Sequence, residues 1–512
     1  MTKPIVSAVG TRQRYQQNPV VLSKVTWANP YFIVPPSEQL KDTYMPINVS
    51  TNAYPAPYVY SFINENAAAN PKFRVALTDY HYVSPGGQPG DSQYWFYDPI
   101  SPAAVPYWLL KNSVTAIPNG LPLNPFAMAN IEYDDNPYLV VADFDSAGNA
   151  GGTLRLVSMT SADVYTTVAS LPIISTYSGF QAHVQDVYVD GERIFALIVN
   201  STPVTSEEYK NSELREYLIS STGGNLTFVQ QGSTVTLSPN AVALVPYTVN
   251  GQKYLFIPCI GGYQNSVDSG AIPPVTNNGA NSSLSVVTIT STLGGTEKKA
   301  YVGSNALHDF RGIAIATNGT AYILTGDYYT YPQGTTPNFE YGYMQWKLYK
   351  TTATNLVTLA GNPSPGTIEA SGSGATLVVP PNPTDKKINY MAYFWSIGIC
   401  KNTAGADFLV FAKGANSTVP PDPTYTDLTT LYSHDELHFL KVDTAWSDTQ
   451  NIDNSIIPDS VLNGSGISAD GFAINSIDIS VDGGGLRLKT AHHHHAHLSA
   501  IRAKIRAAEE RK

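Results

Sequence analysis

Apolar stretches long enough to cross a bilayer, which need about 20 residues, are missing from these 512 residues. The chain therefore reads as one that does not span a membrane. The N-terminus, MTKPIVSAVGTRQR, has no apolar core long enough for a secretion signal, because Ile5 to Gly10 is short and Arg12 follows. That absence predicts a chain made for the cytosol, or one that leaves by a route needing no signal peptide. Clusters of Lys and Arg are missing from the body, and the net charge is -10, which excludes electrostatic tracking of nucleic acid. Cysteine is nearly absent: Cys259 and Cys400 sit in different predicted hairpins and read as buried free thiols. Helical periodicity is missing before about residue 490. The catalytic signatures GxSxG and HExxH are missing too, and GGTLRL and GGGLRL lead into strands, so neither forms a phosphate-cradling loop. Seven Asn-x-Ser/Thr sequons occur, as chance supplies in an Asn- and Thr-rich chain.

What is abundant is turn chemistry. The chain has 39 Gly, 36 Pro and 33 Tyr against 14% charged residues, as expected of a turn-dense all-β protein. Phe310 to Asp327, FRGIAIATNGTAYILTGD, shows the recurring unit: two alternating apolar runs flank Asn318-Gly319, residues suited to a two-residue hairpin turn with positive φ. The unit recurs at Ala127 to Asp145 around Asp134-Asp135-Asn136, and at Val184 to Asn200 around Asp190-Gly191. Further copies run from Ala241 to Pro258 around Asn250-Gly251, from Trp395 to Gly414, and from Ile474 to Thr490. A looser copy, Tyr58 to Leu77, precedes them. About seven units succeed one another at roughly 55 to 85 residues, each leaving room for a second strand pair. Expected pairs are TLRLVSM with VYTTVASL, LREYLIS with LTFVQQG, and MQWKLYK with NLVTLAG.

A hairpin plus a second strand pair makes a four-stranded blade, and blades set in a ring leave no long exposed sheet edge. Residues 20–490 thus resemble the β-propeller superfamily in general, without WD40 or kelch signatures. The expected fold is an all-β, seven-bladed propeller closed by strands from Val20 to Pro36, which would complete the short last unit. Residues 1–19 read as an N-terminal arm. Residues 491–512 read as an amphipathic C-terminal helix, with Leu498, Ile501, Ile505 and Ala508 on one face as a partner-binding stripe. The histidines at 492–495 and 497 read as a spacer or an added sequence, although such a tract also suits a transition metal.

Candidate chemistry is sparse. On a strand, His434, Glu436 and His438 share a face and are metal-ligand types, but same-face neighbours stand nearly 7 Å apart, so a solvated strand is the plainer reading. Asp143, Asp145 and Asn149 loosely resemble a calcium loop without its closing Glu; calcium is the one cofactor they suggest, and a plain turn suits them better. His183 with Asp186, and His308 with Asp309 and Arg311, precede inner strands near the channel mouth, where a general base could form. Propeller glycosidases place carboxylates on distant loops, and Asp79, Asp186, Asp309 and Asp327 are the candidates. The linkers are rich in tyrosine, and Tyr263, Tyr328, Tyr329, Tyr331, Tyr341 and Tyr343 are loop-binding candidates.

These features lead to the expectation of a non-enzymatic structural or binding protein that assembles with copies of itself or with other subunits. The expected case is a virion component of a bacteriophage or similar virus, such as a tail, nozzle or fibre-associated protein. A glycan-binding or carbohydrate-active, glycosidase-like propeller is the alternative, located in the cytoplasm or outside the cell.

Overall fold

In the computed structural model the structure describes residues 58–64, 66, 73–78, 94–98, 109–110, 125–144, 152–162, 164–201, 209–261, 282–303, 309–330, 342–379, 397–401, 407–414, 435–445, 476–479 and 486–489. These residues are overwhelmingly strand, arranged as antiparallel meanders. The first sheet is β1 (Tyr58–Ile63), β2 (Phe73–Thr78), β3 (Tyr94–Asp98) and β4 (Leu109–Leu110). The second is β5 (Pro125–Tyr133), β6 (Asn136–Phe144), β7 (Gly152–Met159) and β8 (Tyr165–Pro172). The third is β9 (Gln181–Asp190), β10 (Arg193–Ser201), β11 (Tyr209–Thr222) and β12 (Asn225–Pro239). The fourth is β13 (Val245–Val249), β14 (Gln252–Cys259), β15 (Ser283–Thr288) and β16 (Lys298–Val302). The fifth is β17 (Asp309–Ile315), β18 (Thr320–Thr330), β19 (Gly342–Thr352) and β20 (Thr376–Val379). A three-stranded sheet comes next, β21 (Ile397–Lys401), β22 (Asp407–Gly414) and β23 (Asp435–Lys441), and then a pair, β24 (Ser476–Ile479) and β25 (Leu486–Lys489). The protein is all-β and propeller-like, as the repeat predicts. The expected arm, the Val20 to Pro36 strands and the C-terminal helix with Leu498, Ile501, Ile505 and Ala508 lie outside the described residues.

Turn chemistry sets the hairpins. Asn250 and Gly251 both take positive φ, 49° and 79°, so β13 and β14 close on the expected two-residue turn, with Val249 opposite Gln252. Asp134 and Asp135 do the same at 49° and 58°, although neither is glycine. Asn136 Nδ2 donates to Asp134 O at 2.8 Å and helps hold that turn. At Asn318-Gly319 the outcome differs, because only Gly319 is left-handed, at 91°. The loop is longer, running from Ala316 to Thr320, and the Asn318 side chain accepts from Thr320 N at 3.0 Å.

The core lies between consecutive sheets. One apolar cluster joins the second and third sheets through Val140, Leu154 and Leu156 against Val184, Val187 and Ile198. Another joins the third and fourth through Phe195, Leu197 and Leu214 against Leu255, Ile257 and Val287. A third joins the fourth and fifth through Val245, Phe256 and Val286 against Phe310, Ile313 and Ile323. The second to fifth sheets thus bury both faces, which accounts for strands such as β10 being apolar from Ile194 to Val199.

Two expectations are corrected. NLVTLAG was expected to pair as a strand with MQWKLYK, yet Ala353–Ala360 form an α-helix, α1. Thr352 caps it, its side chain accepting from Asn355 N at 3.1 Å, and Ala353, Leu356 and Ala360 are buried among the fourth and fifth sheets. The outer strand is instead β20, pairing Leu348 to Lys350 with Val379 to Thr376. Second, the segment Tyr328 to Tyr343 is not all loop: β18 and β19 remain paired as far as Thr330 and Gly342.

Candidate functional site

Hydrogen bonds between sheets give the body two distinct ends. At one, hairpin turns meet: Lys253 Nζ bonds Asp190 Oδ2 at 2.8 Å, and Tyr247 OH donates to Thr317 O at 2.9 Å. Thr317 N in turn donates to Asp407 Oδ2 at 3.0 Å. At the other end, where first strands begin, Phe310 N donates to Ser282 Oγ at 3.1 Å and Ala241 N to Ser212 Oγ at 3.0 Å. The first strands of these sheets therefore start together, and the polar residues of that end can be compared.

His183 and Asp186 lie in β9, but the structure gives each a separate partner. A bulge at Gln185 separates them in register, with Val184 opposite Ile198 and Asp186 opposite Leu197. Asp186 accepts from Val187 N with Oδ1 and from Leu244 N with Oδ2, both at 2.9 Å, so its carboxylate joins the third sheet to the fourth. His183 Nε2 is 3.0 Å from Gln185 Oε1, and burial pushes its pKa down to about 4. At neutral pH the ring is uncharged. Both residues are thus anchors of the fold.

A second carboxylate is equally committed. Glu297 Oε1 accepts from Ser238 N at 2.9 Å, Ser238 Oγ at 2.8 Å and Ser283 Oγ at 3.3 Å, and also from Ser285 Oγ, while Lys299 Nζ stands 3.8 Å from Oε2. This network binds the end of β12 to β15. Cys259 lies beside it, free and fully buried, and burial pushes its thiol pKa up. The expectation of a buried free thiol holds for this cysteine.

Four buried polar atoms at the strand-start end have no hydrogen-bond partner among the described residues: Gln181 Oε1, Asn200 Oδ1, Asn240 Nδ2 and Thr325 Oγ1. Gln181 opens β9 and Asn200 lies near the end of β10, its Nδ2 donating to Asn211 O at 2.9 Å. Asn240 precedes the Ala241–Cys259 bridge, in left-handed backbone at 54°. Thr325 stands opposite Phe310, where β17 begins. A buried polar atom without a partner costs about 1–3 kcal/mol, so these four are where water, a ligand or residues outside the described ones would supply a bond. All four belong to amides or a hydroxyl. Arg311, the second residue of the same inner strand after Asp309 and next to Phe310, is 1% exposed. No sequence pattern singles out Gln181, Asn200, Asn240 or Thr325, because each is an ordinary polar residue in a strand or turn until its burial is known.

The other sequence candidates are scattered. Glu436 and His438 are alternate residues of β23, opposite Lys413 and Phe411, while His434 lies outside the described residues. Asp143 pairs with Pro125 in β6, and Asp145 and Asn149 lie outside the described residues. Among the described residues no group of three or more His, Cys, Asp or Glu is placed to hold a metal ion. Tyr328 and Tyr329 belong to β18 and Tyr343 to β19; Tyr263, Tyr331 and Tyr341 lie outside the described residues, as do Asp79 and His308. Asp309 opens β17 and Asp327 lies in β18 just past it.

No protein-family model matches the chain, and no curated protein matches it. Solved structures do. The chain is similar to an α-L-arabinofuranosidase from Lactobacillus brevis, at 11% identity and TM-score 0.28, covering 63% of this chain and 92% of that one. It is similar to Bacillus subtilis levansucrase at 10% identity and TM-score 0.29, covering 83% and 95%. It is also similar to an endo-arabinanase from Bacillus licheniformis at 11% identity and TM-score 0.26, covering 60% and 97%. By name these are enzymes acting on carbohydrate and none is a particle component, and the virion-component expectation is corrected on that finding. At such identity the likeness assigns no residue of this chain a catalytic role.

Proposed function

We propose that the protein is a carbohydrate-recognising β-propeller whose strand-start end receives an uncharged sugar. The observation that carries this reading is the set of unmatched buried groups at that end. Gln181 Oε1 and Asn200 Oδ1 accept, Asn240 Nδ2 donates, Thr325 Oγ1 can do either, and these four are uncharged, although the buried guanidinium of Arg311 lies at the same end. Neutral acceptors and donors suit the hydroxyls of a sugar, whereas a phosphate ligand calls for cations and a metal for carboxylates, imidazoles or thiolates. Seven blades in a closed ring are part of the same proposal. The neighbourhood of β1 supports closure, since β1 lies near β5 and also near β24 and β25.

A panel of neutral polysaccharides in affinity electrophoresis, with a parallel assay for reducing-sugar release, tests the function. The variants are Gln181→Met and Thr325→Val, which keep shape and remove the unmatched atom. An apolar isostere of an unmatched buried group stabilises the free protein by about 1 kcal/mol. Both variants are therefore expected to unfold at or above the parent temperature and to bind sugar more weakly. Failure of the parent protein to bind or cleave any member of the panel overturns the carbohydrate reading.

A further inference from the structure

Among the described residues the dipeptide Asn-Gly occurs at Asn250-Gly251 and at Asn318-Gly319, each time between the first two strands of a sheet. An asparagine in this pair can lose its side-chain amide. The glycine N, after giving its proton to hydroxide, bonds to the asparagine Cγ; the Cγ–Nδ2 bond then breaks, and the nitrogen takes up a proton from water and leaves as ammonia. A second water opens the resulting succinimide ring. Opening at Cγ gives aspartate, and opening at the backbone carbonyl gives isoaspartate, in which the chain runs through the former side chain. Overall a water enters and an ammonia leaves, with nothing oxidised or reduced. Glycine favours ring closure because it brings no Cβ against the ring.

Both asparagines are exposed, so access of water does not separate them. Hydrogen bonding does. In the fifth sheet each reacting group is held: Asn318 Nδ2, the leaving nitrogen, donates to Asp443 Oδ2 at 2.8 Å, and Asn318 Oδ1 accepts from Thr320 N at 3.0 Å. Gly319 N, the attacking atom, donates to Ala316 O at 2.9 Å. In the fourth sheet, among the described residues, neither the Asn250 side chain nor Gly251 N makes a hydrogen bond. Gly251 is exposed, and a Cβ added to it would meet nothing within 4 Å. The turn has to open for Gly251 N to reach Cγ, and an exposed hairpin tip is where local opening costs least.

We infer that Asn250 is a site of spontaneous deamidation whose products include isoaspartate, and that its hydrogen bonds protect Asn318 from the same reaction. Isoaspartate lengthens the backbone of a two-residue turn closed by Val249 opposite Gln252. The distortion falls on β13, whose Tyr247 joins the fourth sheet to the fifth through Thr317 O. The test incubates the full chain at neutral and at mildly alkaline pH, both native and in concentrated guanidinium chloride. Peptide mapping by mass spectrometry, with electron-based fragmentation to tell isoaspartate from aspartate, follows each Asn-Gly pair separately. It thereby also separates the pairs at Asn119, Asn278 and Asn463, which lie outside the described residues. In denaturant Asn250 and Asn318 are expected to react at similar rates, because neither turn survives there. In the native protein Asn250 is expected to react about tenfold or more faster than Asn318, and faster at the higher pH. Equal native rates, a faster Asn318, or no isoaspartate at Asn250 over a native incubation long enough to convert the denatured chain overturns the inference.

Discussion

His183 illustrates how a residue of catalytic type becomes structural through its surroundings. It is 6% exposed in β9, and burial alone suffices to depress its pKa to about 4 from an ordinary value of 6.5. The depressed value means that the unfolded chain binds a proton at His183 which the folded chain refuses between those two pH values. Stability from this group is complete above about pH 6.5 and falls as pH drops toward 4, by about 3 kcal/mol in all. Urea unfolding at pH 7.5 and pH 4.5 is expected to show that loss, and His183→Gln to reduce it substantially. Gly232 makes a different demand, since its φ is +63° and an added Cβ would stand 2.0 Å from Leu293 O. The carbonyl of Leu293 sits there to accept from Ser233 N at 2.8 Å, joining the third sheet to the fourth. Gly232→Ala is therefore expected to destabilise by roughly 3 kcal/mol or more, or to prevent folding, as read by unfolding midpoint and soluble yield.

At the level of elements, α1 depends on its cap more than on its length. Eight residues are too few for a helix to persist alone, so packing of Leu356 and Ala360 and the Thr352 cap hold it. Thr352→Ala is expected to cost about 1 kcal/mol, and Thr352→Ser or Thr352→Asp to restore most of it, by chemical unfolding. This helix also shows where sequence reading stopped. The apolar residues of ATNLVTLA suit a short strand as well as two helical turns, and only the wedge between the fourth and fifth sheets decides between them. The hairpins, by contrast, were legible because alternation and turn residues act within ten to fifteen residues or so. Asn250-Gly251 took the expected backbone, and Asp134-Asp135 did so without glycine. Asn318-Gly319 departed from it: only Gly319 is left-handed, and the Asn318 side chain donates to Asp443, just past β23, at 2.8 Å. The candidate site was the least legible part. Gln181, Asn200, Asn240 and Thr325 acquire meaning only from burial without a partner, a property set by residues far away in the chain.

For the whole molecule, the decisive question is whether the sheets form a ring. Each pair of successive sheets from the second to the fifth shares an apolar cluster. Asp190–Lys253 joins the third sheet to the fourth, Tyr247–Thr317 the fourth to the fifth, and Asn318–Asp443 the fifth to the sixth. A row of sheets tied only to its neighbours unfolds from its ends, whereas a ring has no ends. In the proposed ring β24 and β25 stand between β21 and β1, and their removal opens it. A chain ending at residue 475 therefore opens the proposed ring between β21 and β1, and any apolar surface exposed there costs about 25 cal/mol per Å². It is expected to unfold several degrees earlier and less cooperatively than the full chain, and to bind a hydrophobic dye when native. A chain ending at residue 490 keeps both strands and is expected to unfold like the full chain, which separates loss of the pair from loss of residues 491–512. Calorimetry of the three chains decides the matter: if the chain ending at 475 melts with the full-length temperature and enthalpy, the last sheet closes nothing, and the molecule is an open array.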